Sequence, residues 1–392
     1  MSPIIALDAL AMGNPPQGIG TYMLNVARCL QRRPGSYSYL LFAPRESLTL
    51  LENLDSPHFR IVPCALPPGR WGRVFFQHRI LPHLARRHGA GLLHGLANLL
   101  PRAWRGPSVV TIHDLDFLIH PEHSSLLRRL LFHWSTPSSL SRAGVVVTIS
   151  SHSAAELRRS YPGTAQRLRI VPNGAPPMET PSPAEIGRVL RRYDLERERY
   201  LLTVGTVERR KNLLRALEAF RGHRDLNPGA RFVLAGSGGY GEAEILRRAG
   251  EMGVAADILV TGYVPPADLP SLYAGAFALL FLSEAEGFGL PALEAMSCRC
   301  PVVAARAGAL PETCGDAAIL CDPARTGEVV EALERLKDHP FRELLLQAGR
   351  RNLQRFSWEA HATALQDAYG ESLAGGWHPR AASRSGTSDG VH

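Results

Sequence analysis

Short apolar runs alternate with amphipathic stretches along most of the chain. Residues 4–10, 39–43, 108–112, 145–149, 201–204, 231–235, 258–261, 276–282 and 301–305 are apolar over the length of a buried strand. Between most of them, residues 21–30, 153–161, 213–220, 242–252 and 327–337 repeat apolar side chains every three or four positions, the period of a helix with one buried face. Such alternation predicts an α/β protein, with parallel sheets covered by helices on both faces, because each parallel crossover needs a helix to bring the chain back. At 392 residues the chain exceeds what one core usually serves, so two domains are expected. The proline-rich stretch 175–183 has the composition of a linker and sets the expected boundary, with residues 1–175 on one side and 176–356 on the other. Residues 357–373 read as a final helix, free to pack back on the first domain. Residues 374–392 lose periodicity, gain small polar side chains and read as a disordered tail.

Composition narrows the class. Hydrophobic residues make up 45% and charged residues 20%, as in a globular protein. No stretch approaches the roughly 18 to 20 apolar residues of a membrane-spanning helix. The first ten residues lack the basic start of a signal peptide and read as a strand, so a cytoplasmic location is expected. Cys29, Cys64, Cys298, Cys300, Cys314 and Cys321 are scattered and lack zinc-ligand spacing, which predicts reduced, buried thiols. Charge is uneven: residues 1–170 hold 19 basic against 8 acidic residues, a net of +11, whereas 171–392 hold 25 against 28, a net of −3. Pairs such as Arg32-Arg33, Arg86-Arg87 and Arg128-Arg129 could meet anionic lipid headgroups or a pyrophosphate-bearing acceptor, giving peripheral contact with the inner face of the plasma membrane. Nucleic acid is the rival partner for a basic surface, but no recognition signature accompanies it and none is expected to bind.

The candidate chemistry lies at strand ends. After the run 276–282, Glu286 and Glu294 stand eight residues apart around Gly287, Phe288, Gly289, Leu290 and Pro291. The glycines allow close backbone approach, and Pro291 is placed for the start of a helix whose free N–H groups can hold an anion. Glu286 in the loop and Glu294 about one turn into the helix can then face one crevice. Carboxylates accept from hydroxyls and amides donate to phosphate, so the pattern suits a polyhydroxylated ligand carrying a diphosphate. Arg209, Arg210, Lys211 and Asn212 follow the run 201–204, where cations can neutralise a leaving diphosphate; Asn212 reads as the cap of the next helix. Cations oppose the helix macrodipole at that end, which favours a functional over a structural reason for them. Gly18 and Gly20 form a further glycine loop between the first strand and first helix.

The Glu286 to Glu294 spacing resembles the E-x7-E signature of the retaining family 4 glycosyltransferases, also called glycosyltransferase group 1. Arg210, Lys211 and Asn212 resemble that family's R-K-N element, Gly308, Pro311 and Glu312 its following G-x-x-P-E, Gly18 and Gly20 its first glycine loop, and Trp358 its F-S-W-E near the last helix. The resemblance implies a GT-B fold of two Rossmann-like domains facing across a cleft. It implies a nucleotide-sugar donor, a glycan or lipid-linked acceptor, and no cofactor or metal ion. It gives Glu286 to the transferred sugar, Glu294 to the ribose, Arg210 and Lys211 to the diphosphate, and the backbone near Val264 to the base. The order His113, Asp114, Leu115, Phe117, His120, Pro121 and Glu122 resembles the mannosyltransferase branch, which implies GDP-mannose as donor and places His113 beside the donor sugar. His120, Glu122 and His123 shape the acceptor side or close a loop; the sequence does not choose. The same stretch has the histidines and carboxylates of a metal site, and its D-x-D is the manganese motif of an unrelated glycosyltransferase fold, but the topology here differs. Residues 236–241 superficially resemble a dinucleotide fingerprint and read better as a tight turn. A nucleotide-sugar epimerase of similar architecture and a non-catalytic sugar-nucleotide-binding or polysaccharide-binding protein are the competing readings.

Overall fold

A computed structural model describes residues 2–33, 35–120, 126–176, 178–238 and 241–375. The first sheet contains β1 (Ile4–Asp8), β2 (Ser38–Pro44), β3 (Phe59–Cys64), β4 (Leu92–Gly95), β5 (Ser108–Ile112), β6 (Val145–Thr148) and β7 (Leu168–Ile170). The second contains β8 (Tyr200–Val204), β9 (Arg231–Ala235), β10 (Ile258–Gly262), β11 (Ala278–Phe281), β12 (Val302–Ala305) and β13 (Ile319–Cys321). Their orders are β3-β2-β1-β4-β5-β6-β7 and β10-β9-β8-β11-β12-β13, and the strands pair in parallel. Helices cover both faces, which is why β5, β6, β11 and β12 are buried end to end and read as unbroken apolar runs rather than alternating ones.

The expected strands are present, and four more were not anticipated: β3, β4, β7 and β13. Three of these are sheet edges, where one side of the strand needs no partner and a short or mixed sequence suffices; β3 carries Arg60 and Pro63. The fourth, β4, is central but short and contains His94 and Gly95, whose polarity hides it from an apolar-run search.

In both sheets the connections run to one side and then switch to the other, between β1 and β4 and between β8 and β11. Open parallel sheets form a ligand crevice outside the carboxyl ends of the strands at such a point.

Between β7 and β8 the chain crosses from one half to the other. It crosses twice, and the crossings touch: the Ala175 N–H donates to the Phe356 carbonyl at 3.1 Å, and Gly174 packs directly on Trp358. The final helix, Trp358–Ala374, starts from Ser357, whose hydroxyl accepts from the Glu359 and Ala360 N–H groups. It lies on the first sheet, with Tyr369 Oη 2.8 Å from His94 Nδ1 and Ser372 Oγ accepting from the Ser108 N–H at 3.1 Å. The expected tail lies outside the described residues from 376 onward. All six cysteines are free and buried. Among the described residues no helix is long and apolar enough to cross a membrane.

Candidate active site

Two neighbouring strands of the second sheet, β8 and β11, carry the predicted Arg210, Lys211, Glu286 and Glu294 beyond their carboxyl ends. After β8 the chain makes a single 3₁₀ turn, Arg209–Lys211, then enters the helix Leu213–Leu226. After β11 it runs through Glu286 and Gly287 into the helix Leu290–Ser297, in which Leu290 is the first residue and Pro291 the second. Since β8 and β11 are neighbours, residues 75 apart in sequence meet.

Glu286 is the centre of that meeting. Its Oε1 accepts from Lys211 Nζ at 2.7 Å and lies 2.9 Å from Arg210 Nη1. Arg210 also donates to the Ala285 carbonyl at 2.8 Å, so its guanidinium is fixed by a backbone group as well as by charge. The three side chains are only 11%, 8% and 22% exposed in the order Glu286, Lys211, Arg210. Burial on its own would raise the Glu286 pKa, but the adjacent Arg210 and Lys211 hold it down at about 2, so the carboxylate is charged at any working pH. Arg210 is held more firmly protonated, chiefly by Glu286. For Lys211 burial outweighs the pull of Glu286 and lowers the pKa. The result is a partly desolvated acceptor with two cations on one oxygen, a site where fixed charge acts strongly because little water screens it.

Glu294, in the helix that follows, is held differently. Its Oε2 accepts from the Tyr273 hydroxyl at 2.7 Å, and burial raises its pKa despite that bond and the charge of Lys211. Tyr273 is fully buried and belongs to the helix Leu269–Gly275. It fixes the direction of the Glu294 carboxylate, and no sequence spacing connects the two. Gly289 takes φ 101°, ψ 45° at the start of the helix, a conformation open to glycine. Phe288 is buried edge-on against Phe356, with ring centroids 5.4 Å apart, so it supports the loop through packing.

Two expectations change in detail. Asn212 occupies the N-cap position, but its side chain makes no capping hydrogen bond; the residue adopts a left-handed conformation (φ 52°) and its carbonyl accepts from Ala216 N–H at 3.1 Å. Val264 has a buried side chain beyond the edge strand β10, with β9 and β8 between that strand and β11, so it does not join the Glu286 cluster.

The first half closes the other side. His113 follows β5, and a β-carbon added at Gly287 would fall on its carbonyl oxygen, so a glycine is required where the two halves meet. That carbonyl also accepts from Ser153 Oγ at 3.0 Å, and the His113 N–H donates to Asn98 Oδ1 at 2.9 Å. The ring packs edge-on to Tyr22, with centroids 4.6 Å apart. Its Nε2 lies 2.9 Å from the Leu96 carbonyl, which can only accept, so the proton is on Nε2 and Nδ1 is an acceptor. Burial lowers the His113 pKa and keeps the ring neutral. Both backbone groups of His113 thus already have protein partners. Gly18 caps the helix Ile19–Gln31 with φ 47°, and Gly20 lies in its first turn. Gln17, just before them, reaches across to the second half, donating to Ser237 Oγ at 2.9 Å and accepting from Thr206 Oγ1 at 3.3 Å. Glu312 makes a second bridge, accepting from the Ser151 N–H at 2.8 Å and the His152 N–H at 3.1 Å at the start of the helix Ser151–Ser160. Gln17 stood inside a motif already marked by its glycines; Thr206 and Ser237 left no signal.

Asp114 Oδ1 accepts from the Asp116 N–H at 3.2 Å, and the Asp114 charge acts on Arg210 across the cleft. Among the described residues no group of three His, Cys, Asp or Glu side chains is placed to hold a metal ion. Glu122 and His123 lie outside the described residues, as do Gly239 and Tyr240 of the 236–241 turn, where Gly241 begins the helix Glu242–Glu251.

The family model described as glycosyl transferases group 1 matches residues 191–354, and that of glycosyltransferase family 4 matches residues 16–178. The O-antigen chain mannosyltransferase B of Escherichia coli is 36% identical over 266 residues, 67% of this chain and 70% of that protein. A D-inositol 3-phosphate glycosyltransferase of Corynebacterium jeikeium is 29% identical over 90% of this chain and 91% of that one. Among solved structures, the sucrose-phosphate synthase of Thermosynechococcus elongatus superposes with a TM-score of 0.75 at 21% identity, covering 95% of this chain and all of that one, and shares the GT-B fold. With two parallel sheets meeting at a cleft and both family models matched, the chain belongs to the glycosyltransferase group 1 family and is a glycosyltransferase of glycan biosynthesis.

Proposed function

We propose that the protein transfers mannose from GDP-mannose to a hydroxyl of a glycan or lipid-linked acceptor, with retention at the anomeric carbon. The observation that carries the reading is the Glu286 carboxylate held by Arg210 and Lys211 at the switch point of the second sheet. A sugar hydroxyl finds an ionised acceptor in Glu286, and the diphosphate finds the two cations and the N–H groups at the start of the helix Leu290–Ser297. Glu294, aimed by Tyr273, accepts from the ribose. The assignment of mannose draws on similarity to the Escherichia coli mannosyltransferase. UDP-hexoses share the diphosphate and ribose contacts and are the competing donors.

In the reaction the bond from the anomeric carbon to the diphosphate oxygen breaks, and the acceptor oxygen bonds to that carbon on the same face. The acceptor's proton passes to the departing phosphate oxygen. Arg210 and Lys211 stabilise the charge that develops there, so the step is written without a metal ion. Neutral His113 presents Nδ1 as an acceptor to the sugar. Among the described residues no carboxylate acts as a nucleophile in this step, unlike the paired carboxylates of a retaining hydrolase.

Thermal stabilisation by GDP, GDP-mannose, UDP and UDP-glucose, for the wild type and Lys211→Ala, tests the donor, because a ligand of the folded state raises the melting midpoint. A GDP-selective rise that Lys211→Ala abolishes is expected. A UDP-selective rise moves the donor. Conversion of the sugar nucleotide to an isomer without any acceptor would point to an epimerase, and no response to any nucleotide would point to a binding protein.

A further inference from the structure

Four large apolar side chains stand in water on one face of the first half. Trp71 (58% exposed) and Phe75 (57%) are four residues apart on the helix Gly69–Phe75, which continues as a helical segment to residue 87. Leu130 (59%) and Trp134 (67%) are four apart on the helix Leu126–Arg142. Residues at this spacing share a helix face. The loop after β4 ties the two helices together. The Arg102 guanidinium lies 3.9 Å above the Trp134 ring, and the Arg102 N–H donates at 3.1 Å to Nδ1 of His78, three residues beyond Phe75. Arg142 pins the same loop by donating to the carbonyls of Leu100 and Pro101 at 2.8 Å each. Arg79, Arg86, Arg87, Arg102, Arg105 and Arg129 are exposed around this surface.

Its charge has one sign. Residues 56–113 contain eight arginines and no aspartate or glutamate, and residues 123–155 contain three arginines and none. The +11 of the first half is therefore concentrated on the segments that expose the tryptophans. Tryptophan rings partition into the headgroup layer of a bilayer, and arginines beside them meet lipid phosphates. A second copy of this chain would set two strongly cationic faces against each other, which charge opposes. We propose that this face docks the protein on an anionic bilayer, with Trp71, Phe75, Leu130 and Trp134 at headgroup depth and the arginines on lipid phosphates.

The docking face borders the candidate site. The loop after β4 starts at Leu96, whose carbonyl holds the His113 ring, and passes through Arg102 on Trp134 before it reaches β5. Phe132, on the same helix as Trp134, packs against Phe117, with ring centroids 5.2 Å apart, three residues beyond Asp114. A lipid-borne acceptor can reach His113 while its tail stays in the membrane. Docking itself does not depend on the identity of the donor sugar.

The test is vesicle flotation of the full chain without nucleotide, using phosphatidylcholine vesicles with and without phosphatidylglycerol, repeated with Trp71→Ser/Trp134→Ser, Arg102→Glu/Arg105→Glu and a matched charge reversal on the second half, Arg350→Glu/Arg351→Glu. The expected result is binding only to the anionic vesicles, at least tenfold weaker in the first two variants and unchanged in the third. Arg79→Glu/Arg129→Glu repeats the charge test without touching Trp134, and melting midpoints within a degree or two of the wild type check folding. No binding to either vesicle, equal binding to both, or an equal loss in the second-half variant overturns the proposal. Self-association that depends on Trp71 and Trp134, without vesicle binding, overturns it in favour of a second copy of the chain. Failure of the donor assignment leaves all these outcomes readable.

Discussion

The two halves share an architecture and use it in opposite ways. The second half, with a net charge of −3, gathers Arg210 and Lys211 at one strand end and sets Glu286 against them. The first half, at +11, spreads its arginines over an outer face and offers the cleft a buried neutral histidine, an exposed glycine loop and the helix start that donates to Glu312. Fixed charge aimed at a developing charge is effective only where water is excluded, so the donor side must bury specific ionised residues, and such residues stand out in a sequence. An acceptor side that works through shape, backbone and surface leaves a weaker trace.

The sharpest break in this comparison is charge removal. Lys211→Ala or Arg210→Ala is expected to lower the transfer rate by about 10²- to 10³-fold, the scale for removing one donor from a developing anion, and to lower the melting midpoint as well, because the buried Glu286 carboxylate loses one of its two cations. Equal losses from Gln17→Ala would erase the contrast. The same cluster predicts acid sensitivity. Because folding depresses the Glu286 pKa from 4.5 to about 2, its ionised form stabilises the fold fully above pH 4.5, and that contribution is lost as pH falls through about 2. Denaturant titrations across that window should show the wild type losing more stability than Glu286→Gln.

A smaller effect is expected where the halves touch. Gly287→Ala places a methyl group on the His113 carbonyl and must push the halves apart, so kcat/KM should fall by up to about 10²-fold while each half stays folded, as a displacement of about an ångström predicts. Gly163→Ala, in open space, should be silent in the same assay. Tyr273→Phe removes the donor to Glu294; nucleotide affinity should weaken by about fivefold, near 1 kcal/mol, and more at low pH, because the Glu294 pKa, already raised by burial, rises further. Isothermal titration at two pH values reads both. Smallest is Gln17→Ala, an exposed bridge whose loss should raise the donor KM by about twofold.

How much of this was legible follows the same division. The apolar runs revealed the interior strands β1, β2, β5, β6, β8, β9, β11 and β12, buried on both faces, and the edge strand β10; the edge strands β3, β7 and β13 were missed because an edge needs less apolar sequence, and the interior β4 because it is short and carries His94 and Gly95. Glu286, Arg210 and Lys211 were legible as chemistry without local structural benefit: three cations at a helix start oppose the macrodipole. Tyr273 looked like any core tyrosine, and Thr206 and Ser237 like turn residues.

The sequence by itself determined the strand and helix periods, the two-half division, and the carboxylates, cations and glycines set at strand ends, because these depend on local polarity and spacing. Tertiary structure decided which of them meet. The neighbouring of β8 and β11 puts Lys211 on Glu286, the seating of Gly287 on His113 joins the halves, and the packing of the final helix on the first sheet ties Tyr369 to His94. Strand order and domain contact are long-range choices made by burial of whole faces, and no local stretch of sequence encodes them.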